Sequence, residues 1–156
     1  MDTGGISLRP ATVDDAAGLT ELAARLTAFE LPRWRTSSEI VNAELAAMQA
    51  AVRAGDPDSE VFIAERGGIC VGCLHVLKDV DFFGRAHAHV SVVSVTEAAQ
   101  GTGVGRALLA HADRWAHERG LGFVTLNVFA DNARARRLYE RVGFETELVK
   151  YVKVLG

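Results

Sequence analysis

The chain has 156 residues, 49% of them apolar and 24% charged. These are the proportions of an ordinary globular protein, and the length suits one compact domain spanning 1–156. A net charge of −3 supplies no global field for nucleic acid, no apolar run nears the roughly 20 residues that span a bilayer, and no charged-then-apolar signal opens the sequence. The expectation is a cytoplasmic protein with neither a membrane nor a nucleic-acid partner.

GISLRP reads as a short strand ended by Pro10. Thr12 and Asp15 resemble a capping box with aspartate in place of the usual Glu or Gln. Ala16, Leu19, Leu22, Leu26 and Phe29 then recur at helical spacing, predicting an amphipathic helix over 12–29. Pro32 breaks it. A second helix is predicted from Ser37 or Ser38 to about Ala54, with Ile40, Val41, Leu45 and Met48 inward and Gly55–Asp58 as its terminator. VFIAER and ICVGCLHVLKDV follow as strands joined by Gly67-Gly68, a hairpin turn.

The only cysteines, Cys70 and Cys73, lie in the second of these strands. Residues three apart on an unbroken strand point to opposite faces. Such thiols neither chelate one ion nor form a local disulfide, so no metal is expected and both read as core thiols.

DFFGR turns the chain into a strand over 86–95, AHAHVSVVSV. A glycine loop at 101–105 leads into a helix over 104–119, stopped by Gly120. A strand over 122–129, a helix over 132–142 stopped by Gly143, and a final strand segment, FETELVKYVKVL, complete the chain. Antiparallel hairpins come first and crossover helices afterwards. The predicted class is α/β: a mixed, mostly antiparallel central sheet, one parallel strand pair across helix 104–119, and four helices.

The segment richest in chemistry is the glycine loop. Gly101, Gly103 and Gly105 alternate directly after a buried strand and at the mouth of a helix. Without Cβ atoms in the way, backbone N–H groups converge there, and the helix N-terminus adds positive partial charge. That combination binds an anion. A P-loop would need Gly-Lys-Ser/Thr, whereas Gly105 is followed by Arg106-Ala107. A dinucleotide fingerprint would need a third glycine where Arg106 stands.

Gln100, Gly103 and Gly105 match the Q/R-x-x-G-x-G/A loop, and the chain thereby resembles the GNAT acetyltransferases. LNVFADNARARRLYERVGFE is similar to that family's second cofactor segment: a strand, an Asn, a short helix with Leu-Tyr, and Gly-Phe at its end. The resemblance covers residues 86–145 and implies a GNAT-type fold in which strand 86–95 splays from strand 122–129. It implies acetyl-CoA as cosubstrate and acetyl transfer to a primary amine of a small molecule. A protein or peptide N-acetyltransferase and a non-catalytic CoA-binding sensor are the alternatives. A homodimer is a further expectation of the resemblance.

Specific roles follow from it. The backbone at Val93, Ser94 and Val95 would pair with the pantetheine arm, and the amides of Gly101, Thr102, Gly103, Val104, Gly105 and Arg106 would hold the pyrophosphate. Asn132 would bond the cofactor arm, its alternative being a helix N-cap. Tyr139 would protonate the departing thiolate, its alternative being a core ring beside Leu138 and Val142. For the base, His89 and His87 are the candidates, histidine titrating in the useful range. They alternate on strand 86–95 and are expected to face the side of Ser91, Val93 and Val95, with a structural histidine as the competing reading. The carboxylate that many family members carry on this strand is absent. His75 and Glu97 are lesser candidates. Phe29 and Trp34 lie where the family forms its acceptor wall, and Phe82 and Phe83 occupy a hairpin tip. Among Arg134, Arg136, Arg137 and Arg141, most read as a solvated basic face.

Overall fold

The computed structural model describes residues 5–156. Five strands form one sheet in chain order: β1 (Ile6–Pro10), β2 (Ser59–Arg66), β3 (Ile69–Val80), β4 (Ala86–Val95) and β5 (Val124–Leu126). β1 to β4 run antiparallel to their neighbours, and β4 pairs with β5 in parallel. The crossover is α3 (Val104–Glu118); the other helices are α1 (Ala16–Ala24), α2 (Ser37–Ala54) and α4 (Ala133–Arg141). This is the expected mixed sheet with four helices. Among the described residues, no helix is long and apolar enough to cross a membrane.

Apolar periodicity builds a core on each face of the sheet. Leu74, Val76, Ala88 and Val90 bury against Val104, Leu108, Ala112 and Trp115 of α3. On the opposite face, Leu19, Leu22 and Met48 of α1 and α2 cover Ile63, Cys73 and Val92. Each buried Val, Leu, Ile or Met among these contributes roughly 1.5–3 kcal/mol of transfer free energy.

The expected helix 12–29 divides into three pieces. A 3₁₀ turn over Val13–Asp15 carries the expected Thr12–Asp15 capping box, α1 follows, and a second 3₁₀ turn spans Arg25–Thr27. Tightening of this kind is common where a helix runs out, and it leaves Phe29 outside the helix. α2 starts on a Thr36–Glu39 capping box and stops at Gly55, whose φ of +63° suits glycine.

Two β-bulges overturn the side-chain phasing read from strict alternation. Gly72 pairs with Ala64 while Cys70 pairs with Glu65, so Val71 is the extra residue on β3. Cys70 and Cys73 consequently share the α1-side face, where Cys73 is buried and Cys70 lies against the same cluster. Likewise Val92 faces His75 in register while Val90 faces Val76, so Ser91 is an extra residue on β4. Before it, Ala88 and Val90 point to α3; after it, Val93 and Val95 do. His87, His89 and Ser91 therefore face the α1/α2 side, opposite Val93 and Val95, not with them.

β5 is shorter than the expected 122–129, because its ladder ends at Leu126 beside Val90, just before the Ser91 bulge. The final strand expected over 144–155 does not form. Its alternating Val, Leu and Tyr residues meet no neighbouring edge, and Leu148, Val149 and Tyr151 lie exposed. Alternation supplies faces, but a strand also needs a ladder partner for its backbone groups.

Candidate active site

β4 and β5 pair only at Ala88–Val124, His89–Thr125 and Val90–Leu126. Beyond Val90–Leu126 the ladder between the two strands ends, leaving a gap in the pairing where the splay is expected. The Thr96 amide donates to the Val71 carbonyl on β3, so alternation turns the Val93 and Val95 amides and carbonyls away from β3 and into the gap. Those groups form an open ladder edge between two parallel strands, shaped to take an extended amide-bearing chain. The Ser94 hydroxyl donates to the Leu22 carbonyl at 2.7 Å and fastens this end of β4 under α1.

The glycine loop lies at the same end of the gap. Gly101 and Gly103 have φ of +73° and +91°, the left-handed region open to glycine. Ala107 is the first amide bonded back to the loop, onto the Gly103 carbonyl. The amides of Gly103–Arg106 at the start of α3 thus face outward as a ready anion cradle. A Cβ on Gly105 would come within 2.9 Å of Leu138 Cδ2, so glycine there admits α4 against α3.

Three contacts fix the loop. The Arg66 guanidinium donates to Thr102 Oγ1 at 2.9 Å and to the Thr102 carbonyl at 3.0 Å. The Thr102 hydroxyl donates to the Ala99 carbonyl. Arg134 donates to Gln100 Oε1 at 3.0 Å, which brings one of the four α4 arginines to the loop. Of the others, Arg136 donates to the Ala130 carbonyl and Arg141 to that of Arg137. Sequence reasoning missed Arg66, which stands thirty-six residues away with no motif around it.

Asn132 caps α4, its Oδ1 accepting from the Ala135 amide at 3.3 Å. Tyr139 lies half-buried on α4, 5.9 Å centroid to centroid from Phe144, and burial holds its hydroxyl protonated above the usual tyrosine range.

Before the gap, within the paired stretch, His89 Nδ1 pairs with Thr125 Oγ1 at 2.9 Å, and burial pushes its pKa down. His87 is buried at the start of β4 against the Arg85 carbonyl, its ring 6.4 Å from that of His89. His75 pairs with Ser59 at 3.1 Å, and its pKa is likewise lowered by burial. Glu97 is an exposed residue of a 3₁₀ turn. A carboxylate does reach β4, from α2: Ser91 Oγ donates to Glu44 Oε2 at 3.2 Å, and burial raises the Glu44 pKa.

Phe29 meets Phe129 at 5.7 Å, so the turn after α1 touches the segment following β5 and walls the gap. Trp34 lies exposed beneath Arg33, whose guanidinium is 5.9 Å from the ring centroid. Phe82 and Phe83 stack edge to face at the hairpin tip, almost wholly in solvent. Among the described residues, no group of three or more His, Cys, Asp or Glu is placed to hold a metal.

A family model described as the acetyltransferase (GNAT) family matches residues 21–144. A mycothiol acetyltransferase of Amycolatopsis mediterranei is 38% identical over 96 residues, which cover 59% of this chain and 32% of that protein. The chain thus spans about a third or less of the length of the curated relatives it matches. Among solved structures, a transcriptional regulator from Bacillus halodurans superposes with a TM-score of 0.70 at 25% identity, covering 96% of this chain and 99% of that one. An aminoglycoside N-acetyltransferase in complex with CoA superposes at 0.73 and 18% identity, over 95% and 94% of the two chains.

Proposed function

Since the chain belongs to the acetyltransferase (GNAT) family, we propose that it transfers an acetyl group from acetyl-CoA to a primary amine of a small molecule, directly and as a single domain. The observation carrying this reading is the joining of two features at one end of the sheet. An outward-facing amide cradle opens α3, and an unpaired backbone edge at Val93–Val95 lies beside it. The cradle suits a pyrophosphate and the edge suits a pantetheine arm, which together describe CoA. A relative named for mycothiol supports a small-molecule acceptor.

In this reading Gly101–Arg106 hold the pyrophosphate, and Arg134 on Gln100 stands ready to add charge. The Val93 or Val95 amide polarises the acyl carbonyl. Tyr139, kept protonated by burial, gives its proton to the departing sulfur. Asn132 combines capping of α4 with contact to the arm. Phe29 and Trp34 line the acceptor side, and the base is drawn from the α1/α2 face of β4, where His89 and His87 stand. Holding the amine against the acyl carbon supplies much of the rate, with no covalent intermediate on the protein. The test is incubation with acetyl-CoA and a panel of amines, following thiol release. Tight CoA binding with no turnover of any amine would sink the catalytic reading.

A further inference from the structure

Glu44 stands on the inner stripe of α2, four residues after Ile40 and four before Met48, which is fully buried. A carboxylate there is out of keeping with the apolar pattern around it. Among the described residues it accepts from the Ser91 hydroxyl at 3.2 Å and no cation pairs with it. The elements around it carry His87 and His89 on β4, His75 on β3 and Arg25 in the turn after α1, and none of these is bonded to Glu44. His89 is bonded to Thr125, His75 to Ser59 and His87 to the Arg85 carbonyl. Arg25 Nε is buried without a hydrogen-bond partner and makes no ion pair with Glu44. A half-buried carboxylate without a countercharge is costly to keep ionised. An incoming ammonium relieves that cost.

Position separates Glu44 from the histidines. Ser91 is the first residue of β4 beyond the last β4–β5 pair, Val90–Leu126. His89 lies within the paired stretch, where β5 flanks it, and His87 is further back still. The bulge that opens the gap is therefore also the point at which Glu44 touches the strand.

We propose that Glu44 is the proton acceptor for the amine, acting at the Ser91 bulge beside the open edge of β4. This rests on the acyl-transfer reading above. An N–H bond of the ammonium breaks and its proton passes to the Glu44 carboxylate. The freed nitrogen lone pair forms the C–N bond to the acyl carbon, the C–S bond breaks, and the sulfur takes the Tyr139 phenol proton. The second nitrogen proton, released as the amide forms, restores the Tyr139 phenol, and Glu44 returns its proton to water. One proton is liberated for each amide made. Burial, by raising the proton affinity of Glu44, brings it closer to the range in which a general base is effective.

The decisive variant is Glu44→Gln, which keeps the side-chain volume and an acceptor for Ser91. Melting temperature and CoA affinity should match the unaltered protein, since Glu44 lies off the donor cradle. With a strongly basic amine, an ammonium at assay pH, kcat should fall at least ~100-fold, with KM changed by less than about threefold. With a weakly basic amine, already neutral at that pH, the loss should shrink to under roughly tenfold, because no proton need be removed before attack. Equal losses on both amines, a change confined to KM, or unchanged kcat would each overturn the proposal. So would a selective loss on basic amines produced by His89→Gln instead. If the unaltered protein turns over no amine at all, the transfer reading itself falls.

Discussion

Gly72→Ala tests how tightly the sheet is closed where the candidate donor site begins. A Cβ at Gly72 would sit 2.8 Å from the Ser94 carbonyl oxygen, 3.0 Å from Val104 Cγ1 and 3.1 Å from Leu108 Cδ1. The first contact is with backbone of β4, and the other two are with buried side chains of α3, so none of the three yields by a simple rotamer change. One extra buried methyl would contribute about 0.8 kcal/mol if it had room. Overpacking of a close-packed core costs ~1–3 kcal/mol and wins where the nearest obstacle is main chain. For a domain of this size, each kcal/mol lowers Tm by roughly 2–4 °C, so Gly72→Ala should melt about 2–12 °C below the parent by calorimetry. CoA affinity should fall with it, because Ser94 and Val104 flank the gap and the cradle. A Tm within about 1 °C of the parent, with CoA affinity intact, would refute this account of β3–β4–α3 packing.

Gly103→Ala places a Cβ on a residue with φ of +91°, a strain of about 1–3 kcal/mol; calorimetric titration should show CoA binding weakened by ~10-fold or more. Tyr139→Phe should lower kcat by about 100-fold with CoA affinity unchanged, measured by thiol release; equal kcat in the two proteins would remove Tyr139 from proton transfer. Burial raises the folded-state pKa of Tyr139 above its unfolded value near 10. The associated stability is therefore fully present below about pH 10 and is lost as pH rises beyond it, so alkaline melting curves of Tyr139→Phe should fall less steeply than those of the parent. Glu60 accepts from Trp115 Nε1 at 3.1 Å and from Arg119 at 2.7 Å, joining β2 to α3; Glu60→Ala should cost about 2 kcal/mol in urea unfolding.

Much of this arrangement is legible in the sequence because local chemistry and global fold agree. β3 and β4 begin and end where alternation and the turn residues place them. Thr12 and Asp15 form the capping box that their spacing suggests, and the glycine loop opens α3 as expected. The departures have identifiable sources. AHAHVSVVSV alternates except at Val92-Val93, and that doublet marks the bulge: the α3-facing positions run 88, 90, then 93, 95. Reading this strand as unbroken put the histidines on the face of Val93 and Val95, and the same assumption on β3 hid the face that Cys70 shares with Cys73. Glu44 was likewise visible in outline, as a charge at the same phase as Ile40 and Met48. A charge on an apolar stripe does not reveal its partner, and Ser91 is forty-seven residues away. The C-terminal segment carries strong alternation yet forms no strand, since periodicity holds no information about an available edge.

The Ser91 insertion ties the two halves of the candidate site together. One extra residue turns the Val93 and Val95 side chains toward α3 while their backbone groups remain directed into the gap, where β5 no longer follows. The same residue presents its hydroxyl on the opposite face, to a carboxylate from α2. Had β4 run without the bulge, the parallel ladder with β5 would continue past Val90, the backbone edge would be satisfied within the sheet, and an extended donor would find no free groups to bond. The phase of every residue beyond it would also be reversed, turning Ser94 away from the Leu22 carbonyl that fastens α1 over the strand. A bulge at this position therefore opens a donor edge and brings an α2 carboxylate to its threshold in a single local distortion. The open edge of β4 and the α2 carboxylate meet at Ser91 because the strand changes its phase there.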